Sequence, residues 1–144
     1  MRAPRARLIL VRHGQTDYNR EGRLQGQVDI PLNATGIRQA ESLADTVAAD
    51  PPAVIVASPL GRALETARII SRDTGLEVTT DEAFLERGFG RWEGLKGEEI
   101  KHRWPAEHAD WRAHRPVLGL DVEDRPEVGE RGAEACRKLV AEHD

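Results

Sequence analysis

Leu8-Ile9-Leu10-Val11-Arg12-His13-Gly14-Gln15 decides the reading of this chain. Its first four residues are apolar and two are β-branched, the composition of a strand buried on both faces. The run then ends in Arg-His-Gly. Ligands of open α/β sheets bind outside the carboxyl ends of the strands. Such a strand would deliver to one sheet edge an arginine for an anion and a histidine for nucleophilic or acid–base work. The glycine lets a ligand approach the backbone.

Strand, loop and helix alternate outward from this segment. A polar loop with Gly14, Gly22 and Gly26 closes at Pro31-Leu32-Asn33. Ile37, Ala40, Ala44 and Val47 recur at helical spacing and predict a helix over 35–49, stopped by Asp50-Pro51-Pro52. Ala53-Val54-Ile55-Val56-Ala57 is a second apolar strand. Ser58 as N-cap and Pro59 at the first helical position open a helix striped by Leu60, Ala63, Leu64, Ala67 and Ile70, with Gly75 beyond its end. Glu77-Val78-Thr79-Thr80 is a weaker strand. This alternation implies a three-layer α/β/α fold with a mostly parallel sheet. Residues 84–94 read as a functional loop, 98–103 and 106–114 as short helices, and 115–130 as an exposed loop rich in proline and acids. A last helix begins near Gly132, striped by Ala133, Cys136, Leu139 and Val140. Three strands are few for such a sheet, and the last helix has no strand to return to.

The chain has 144 residues, the length of one domain (1–144). It is 39% hydrophobic and 32% charged with a net charge of −4, an ordinary globular composition. The negative charge argues against a general nucleic-acid partner. A single cysteine, Cys136, allows no intrachain disulfide and fits a reducing compartment. The basic start 1–7 precedes too short an apolar run for a signal peptide or membrane span, so the expected location is cytoplasmic.

By this layout Arg12, His13, Asn19, Gln25-Gly26 and Arg62, with Glu86 after the third strand, converge on one edge beside a helix start, a natural phosphate site. His102, His108 and His114, six apart, do not share a helix face, so no metal site is read from them. Trp92, Trp104 and Trp111 read as packing residues, Cys136 as a buried thiol, and Glu93 as structural.

In these residues the chain resembles the histidine phosphatase superfamily, the phosphoglycerate-mutase-like proteins. The matching blocks are Leu10-Val11-Arg12-His13-Gly14-Gln15-Thr16-Asp17-Tyr18-Asn19, Leu24-Gln25-Gly26, Asp29-Ile30-Pro31-Leu32, Thr35-Gly36 and Gln39-Ala40. Ala57-Ser58-Pro59-Leu60, Arg62-Ala63 and Thr66-Ala67 follow, then Glu86, Phe89-Gly90 and Trp92-Glu93-Gly94. The resemblance implies metal-independent phosphoryl transfer through a phosphohistidine on His13. Arg12 and Arg62 would clamp the phosphoryl oxygens, with Gly14, Gln15, Thr16, Asn19, Gln25 and Gly26 as further contacts. Glu86 would be the general acid and base.

Gln15-Thr16, Gln25-Gly26 and Trp92-Glu93-Gly94 resemble the phosphatase branch, a hydrolase of a small phosphorylated metabolite without cofactor. The alternatives are an isomerase, the cofactor-dependent phosphoglycerate mutase with 2,3-bisphosphoglycerate, and an impaired phosphate-binding fragment. The family's second histidine, in a later His-Gly, has no counterpart; His143 falls at a helix end. Missing histidine and missing strand together imply a chain truncated before its final strand. The bared sheet edge would favour association, and a dimer is compatible with it. Substrate choice would lie in the insertion 95–130, where Lys96, Lys101, Arg103, Arg112 and Arg115 could meet a second acidic group.

Overall fold

The computed structural model of the chain describes residues 6–143. The basic stretch 1–5 and Asp144 lie outside the described residues. After Gly14 the chain makes one helical turn, α1 (Asp17–Glu21), and then the long helix α2 (Ala34–Ala49). The Asn33 side chain accepts from the Gly36 amide at 2.9 Å, satisfying an N–H that has no partner inside the helix. Ala40 and Ala44, one turn apart, are fully buried.

The sheet has two parallel strands, β1 (Ile55–Ala57) and β2 (Val78–Thr80), paired Ile55↔Val78, Val56↔Thr79 and Ala57↔Thr80. The helix α3 (Gly61–Ser71) connects them and packs on α2. It starts later than its sequence suggested. Ser58 Oγ accepts from the Leu60 amide at 3.3 Å, forming a turn that also holds Pro59. The helix's first amide, Gly61 N, donates instead to Asp29 Oδ1 at 2.7 Å, so its cap comes from a distant loop.

The segment 8–11 corrects the sequence reading most sharply. It is not buried on two faces: Leu8, Ile9, Leu10 and Val11 are 47%, 54%, 79% and 44% exposed, and no strand pairs with them among the described residues. Strand preference describes fit to a pleated, half-buried surface. With no neighbour to supply that surface, the four residues do not become a ladder.

A second packing centre lies under residues 89–122. It follows the 3-10 turns Glu82–Phe84 and Gly90–Trp92 and the helices α4 (Gly97–Arg103) and α5 (Pro105–Arg112). Trp92 and Ile100, both 0% exposed, meet Val117, Leu120 and Val122, with Trp104 and Trp111 packed around them. Residues 115–130 are therefore not simply an exposed loop. Val117, Leu120 and Val122 follow neither a helical nor a strand period, yet they strap the core. Gly90, at φ +50°, lets the strap close: a Cβ there would lie 2.3 Å from the Leu120 carbonyl oxygen. The last helix, α6 (Arg125–Glu142), starts well before Gly132, with Pro126 in its first turn where a missing N–H costs nothing. Cys136 on α6 is half-buried. No helix among the described residues is long and apolar enough to cross a membrane.

Candidate active site

The backbone just after His13 is fixed by close contact. A Cβ on Gly14 would lie 2.4 Å from the Gly36 carbonyl oxygen, and one on Gly36 would lie 2.2 Å from the Gln15 carbonyl oxygen. The two glycines thus bring the loop directly against the first turn of α2. The Gly14 amide donates to Thr66 Oγ1 on α3 at 3.1 Å, and the Gln15 amide donates to Gln39 Oε1 on α2 at 2.9 Å. His13 is held by two packed helices. A Gly36→Ala substitution forces backbone apart from backbone and is expected to cost about 1–3 kcal/mol, the range for overpacking, in a urea unfolding experiment.

The His13 ring has a defined tautomer. Its Nδ1 lies 2.6 Å from the Gly14 carbonyl oxygen. A carbonyl can only accept, so Nδ1 carries the proton and the lone pair of the neutral ring sits on Nε2. The pKa of His13 is below the ordinary imidazole value. Burial is the main cause; the Gly14 hydrogen bond opposes it, the charges of Arg62 and Arg12 add to it, and Glu86 opposes it. An imidazole kept neutral near pH 7 with a free Nε2 is a competent nucleophile.

A cavity of about 370 Å³ opens beside this ring, walled by Arg12, His13, Gln15, Asn19, Gln39 and Thr66 among others. Arg12 is exposed beside it. Asn19 Oδ1 accepts from the Thr16 amide at 3.0 Å in a capping box on α1, which leaves its NH₂ group uncommitted. Gln15 is tied at its side-chain oxygen by Asn33 Nδ2 at 3.1 Å.

Four expected contacts stand behind this wall instead. Thr16 is 0% exposed and donates its hydroxyl to Gln25 Oε1 at 2.6 Å. Gly26, at φ +52°, packs against Glu93; a Cβ on it would lie 2.1 Å from Glu93 Oε1. Arg62 is 1% exposed, and its fork already donates to the Val28 carbonyl at 2.7 Å and the Gly26 carbonyl at 2.6 Å. Arg62 nonetheless lies near enough to His13 for its charge to act on that ring. Its fork is not open to a phosphate, because the carbonyls of Val28 and Gly26 have claimed it. Glu93 accepts from the Gln27 and Phe89 amides at 2.9 and 3.1 Å, the structural role read for it.

Glu86 is exposed and accepts from its neighbour, the Arg87 amide, at 2.8 Å. It lies close enough to act electrostatically on both His13 and Arg62. Thr66 and Gln39 were not read as site residues. Both stand in the matching blocks, Gln39-Ala40 and Thr66-Ala67, one helical turn beyond Thr35 and Arg62, and that membership is the signal that flags them. His143 caps the C-terminal end of α6 and is not among the cavity's lining residues.

The family model for the histidine phosphatase superfamily (branch 1) matches residues 8–144. The chain belongs to the histidine phosphatase superfamily. Among its relatives is a glucosyl-3-phosphoglycerate phosphatase of Mycobacterium tuberculosis, 37% identical over 135 residues that make up 94% of this chain and 60% of the relative. A solved structure of mycobacterial glucosyl-3-phosphoglycerate phosphatase with VO3 superposes with a TM-score of 0.82 at 36% identity, covering 90% of this chain and 62% of that one. Bacillus stearothermophilus YhfR superposes with a TM-score of 0.86 at 34% identity, covering 92% and 66%. The chain thus spans 60% of the length of the glucosyl-3-phosphoglycerate phosphatases it matches. Its α/β architecture is that of these superfamily members.

Proposed function

We propose that the chain carries the phosphoryl-accepting half of a phosphatase acting on a small phosphorylated metabolite. One observation bears most of the weight: His13 Nδ1 is committed to the Gly14 carbonyl, which leaves the lone pair on Nε2 of a ring that lines the same cavity as Arg12. In the first step Nε2 attacks phosphorus; an N–P bond forms, the ester P–O bond breaks, and Glu86 gives its proton to the departing oxygen. In the second step Glu86 takes a proton from water, the water oxygen bonds to phosphorus, and the N–P bond breaks. His13 returns neutral and inorganic phosphate leaves.

Arg12 and the Asn19 amide hold the phosphoryl oxygens directly. Arg62 contributes its charge from behind the wall and fixes the 26–28 loop. These cations supply the positive field, so no step is routed through a metal or cofactor. The relatives named above as phosphatases support hydrolysis over isomerisation. Incubation with 3-phosphoglycerate and catalytic 2,3-bisphosphoglycerate tests this reading. Free phosphate is expected; brisk isomerisation with little phosphate would favour the mutase, and no turnover with retained phosphate binding would favour a binding fragment.

The acid limb of kcat/KM should have its midpoint below 6.5, the ordinary imidazole value, because His13 is active when neutral and its pKa is lowered. A midpoint at or above that value would contradict the assignment. Stability should follow the same sign. The unfolded chain takes up the His13 proton first, so folding weakens as pH falls through 6.5.

A further inference from the structure

Glu86 stands on an irregular stretch, residues 85–89, between the 3-10 turns Glu82–Phe84 and Gly90–Trp92. Neither a helix nor a strand ladder among the described residues holds its backbone. A distant side chain does. Arg131 lies on α6, which packs on the turn Glu82–Phe84. A guanidinium has five N–H donors, and here all five are spent. Nη1 donates to the Ala83 carbonyl at 2.7 Å and to the Leu85 carbonyl at 2.6 Å. Nη2 donates to the Glu86 carbonyl at 3.2 Å and to Glu123 Oε2 at 3.0 Å, and Nε donates to Glu123 Oε1 at 2.9 Å.

Glu123 holds the far side of Glu86. Its Oε2 accepts from the Gly88 amide at 2.9 Å, its own amide donates to the Gly88 carbonyl at 2.8 Å, and its carbonyl accepts from Arg87 Nε at 2.7 Å. The Glu86 carboxylate in turn accepts from the Arg87 amide at 2.8 Å. The pair therefore grips the loop both before and after Glu86. It also keeps itself ionised. The Arg131 hydrogen bond holds the Glu123 carboxyl below its usual range against the effect of burial, and the Glu123 hydrogen bond raises the Arg131 pKa. With side chains 25% and 23% exposed, this is not a solvated surface pair of little consequence.

The ion pair alone needs only Nε and one N–H of Nη2. The other three donors go to the loop that carries Glu86. Proton transfer needs the carboxyl within hydrogen-bond reach of the departing oxygen, and a misplacement of one ångström can cost about a hundredfold in rate. An exposed carboxylate on an irregular loop keeps such a place only if its backbone is held.

We propose that Arg131, anchored by Glu123, is a positioning residue for Glu86: it fixes the place from which Glu86 gives and takes its proton, and it is not among the residues lining the His13 cavity. This rests on the phosphoryl-transfer reading above. It adds to that reading two residues, Glu123 and Arg131, that lie beyond the matching sequence blocks.

Rapid-quench measurement of His13 phosphorylation in the full chain tests this with two esters. p-Nitrophenyl phosphate releases a phenolate that leaves without a proton; glycerol 3-phosphate releases an alkoxide that needs one. Arg131→Gln is expected to slow phosphorylation by glycerol 3-phosphate about a hundredfold and to change phosphorylation by p-nitrophenyl phosphate little. Phosphohistidine should then accumulate with p-nitrophenyl phosphate, because Glu86 must also take the proton of the attacking water. Glu123→Gln should give the same pattern in weaker form. Arg131→Lys, which keeps the charge and three donors, should recover part of the loss. Circular dichroism checks each fold, and the two milder variants carry the test if Arg131→Gln does not fold. Equal slowing with both esters, or no slowing with either, overturns this proposal and leaves the His13 reading standing. Absence of phosphohistidine from p-nitrophenyl phosphate in the unaltered chain overturns both.

Discussion

Replacing His13 with alanine is expected to lower phosphate release by roughly a thousandfold or more, since a nucleophile that forms a covalent intermediate has no substitute among its neighbours. The cavity around it offers Gln15, Gln39, Asn19 and Thr66, none of which is a competent phosphoryl acceptor at neutral pH. The backbone should hold, because the loop is fixed by Gly14 and Gly36 and by the Thr66 and Gln39 hydrogen bonds rather than by the imidazole. The measurement is phosphate release from a generic ester beside trapping of an acid-labile phosphoenzyme. Equal rates for the two proteins would remove His13 from the mechanism. A phosphoenzyme that persists in His13→Ala would move the acceptor elsewhere.

The largest effect on stability is expected from Trp92→Ala. Trp92 is the bulkiest of the fully buried side chains, and its removal leaves a cavity among Ile100, Val117, Leu120 and Val122. Such truncations cost about 3–5 kcal/mol, a large share of the roughly 5–15 kcal/mol that holds a domain together. The indole Nε1 is buried and has no hydrogen-bond partner among the described residues, so part of what the ring contributes is already offset. Trp92→Phe separates the two effects. It keeps most of the ring, removes the orphan donor, and should destabilise far less. Urea denaturation of the three proteins gives the ordering. A Phe variant as unstable as the Ala variant would show that shape, not volume, is what this site requires. Glu93, next in the chain, holds the Gln27 and Phe89 amides, so loss of Trp92 should also unseat the loop that Arg62 braces.

Sequence conveyed those parts of the molecule that are settled locally. Ala40 and Ala44 recur one turn apart and are buried as the period predicts; Arg12, His13, Gln15 and, in the turn of α1 that follows, Asn19 line one cavity. The misread parts depend on partners far along the chain. Leu8–Val11 has the composition of a strand, but pairing needs a neighbour. Val117, Leu120 and Val122 sit among prolines and acids, and only the close approach at Gly90 shows why they turn inward. Arg62, Thr16 and Gln25 carry polar groups of the right kind. Residue type alone does not say whether such a group will face a ligand or another protein group; here Thr16 and Gln25 took each other and two loop carbonyls took Arg62. Thr66 and Gln39 reach the site because α2 and α3 pack together, a contact between elements that helical spacing alone does not state.

His13 is gripped from one side only. Beyond it, Gly14, Gln15 and two helices fix the chain; before it, Arg12 stands on a backbone with no ladder partner among the described residues. The nucleophile is therefore set before a ligand arrives, while ordering Arg12 is part of the cost of binding. A strand laid along 8–11 would order Arg12 in advance and remove that cost without touching the phosphate. Linkage makes the exchange mutual: a phosphate at His13 and a strand at 8–11 would then tighten each other's binding by one and the same factor.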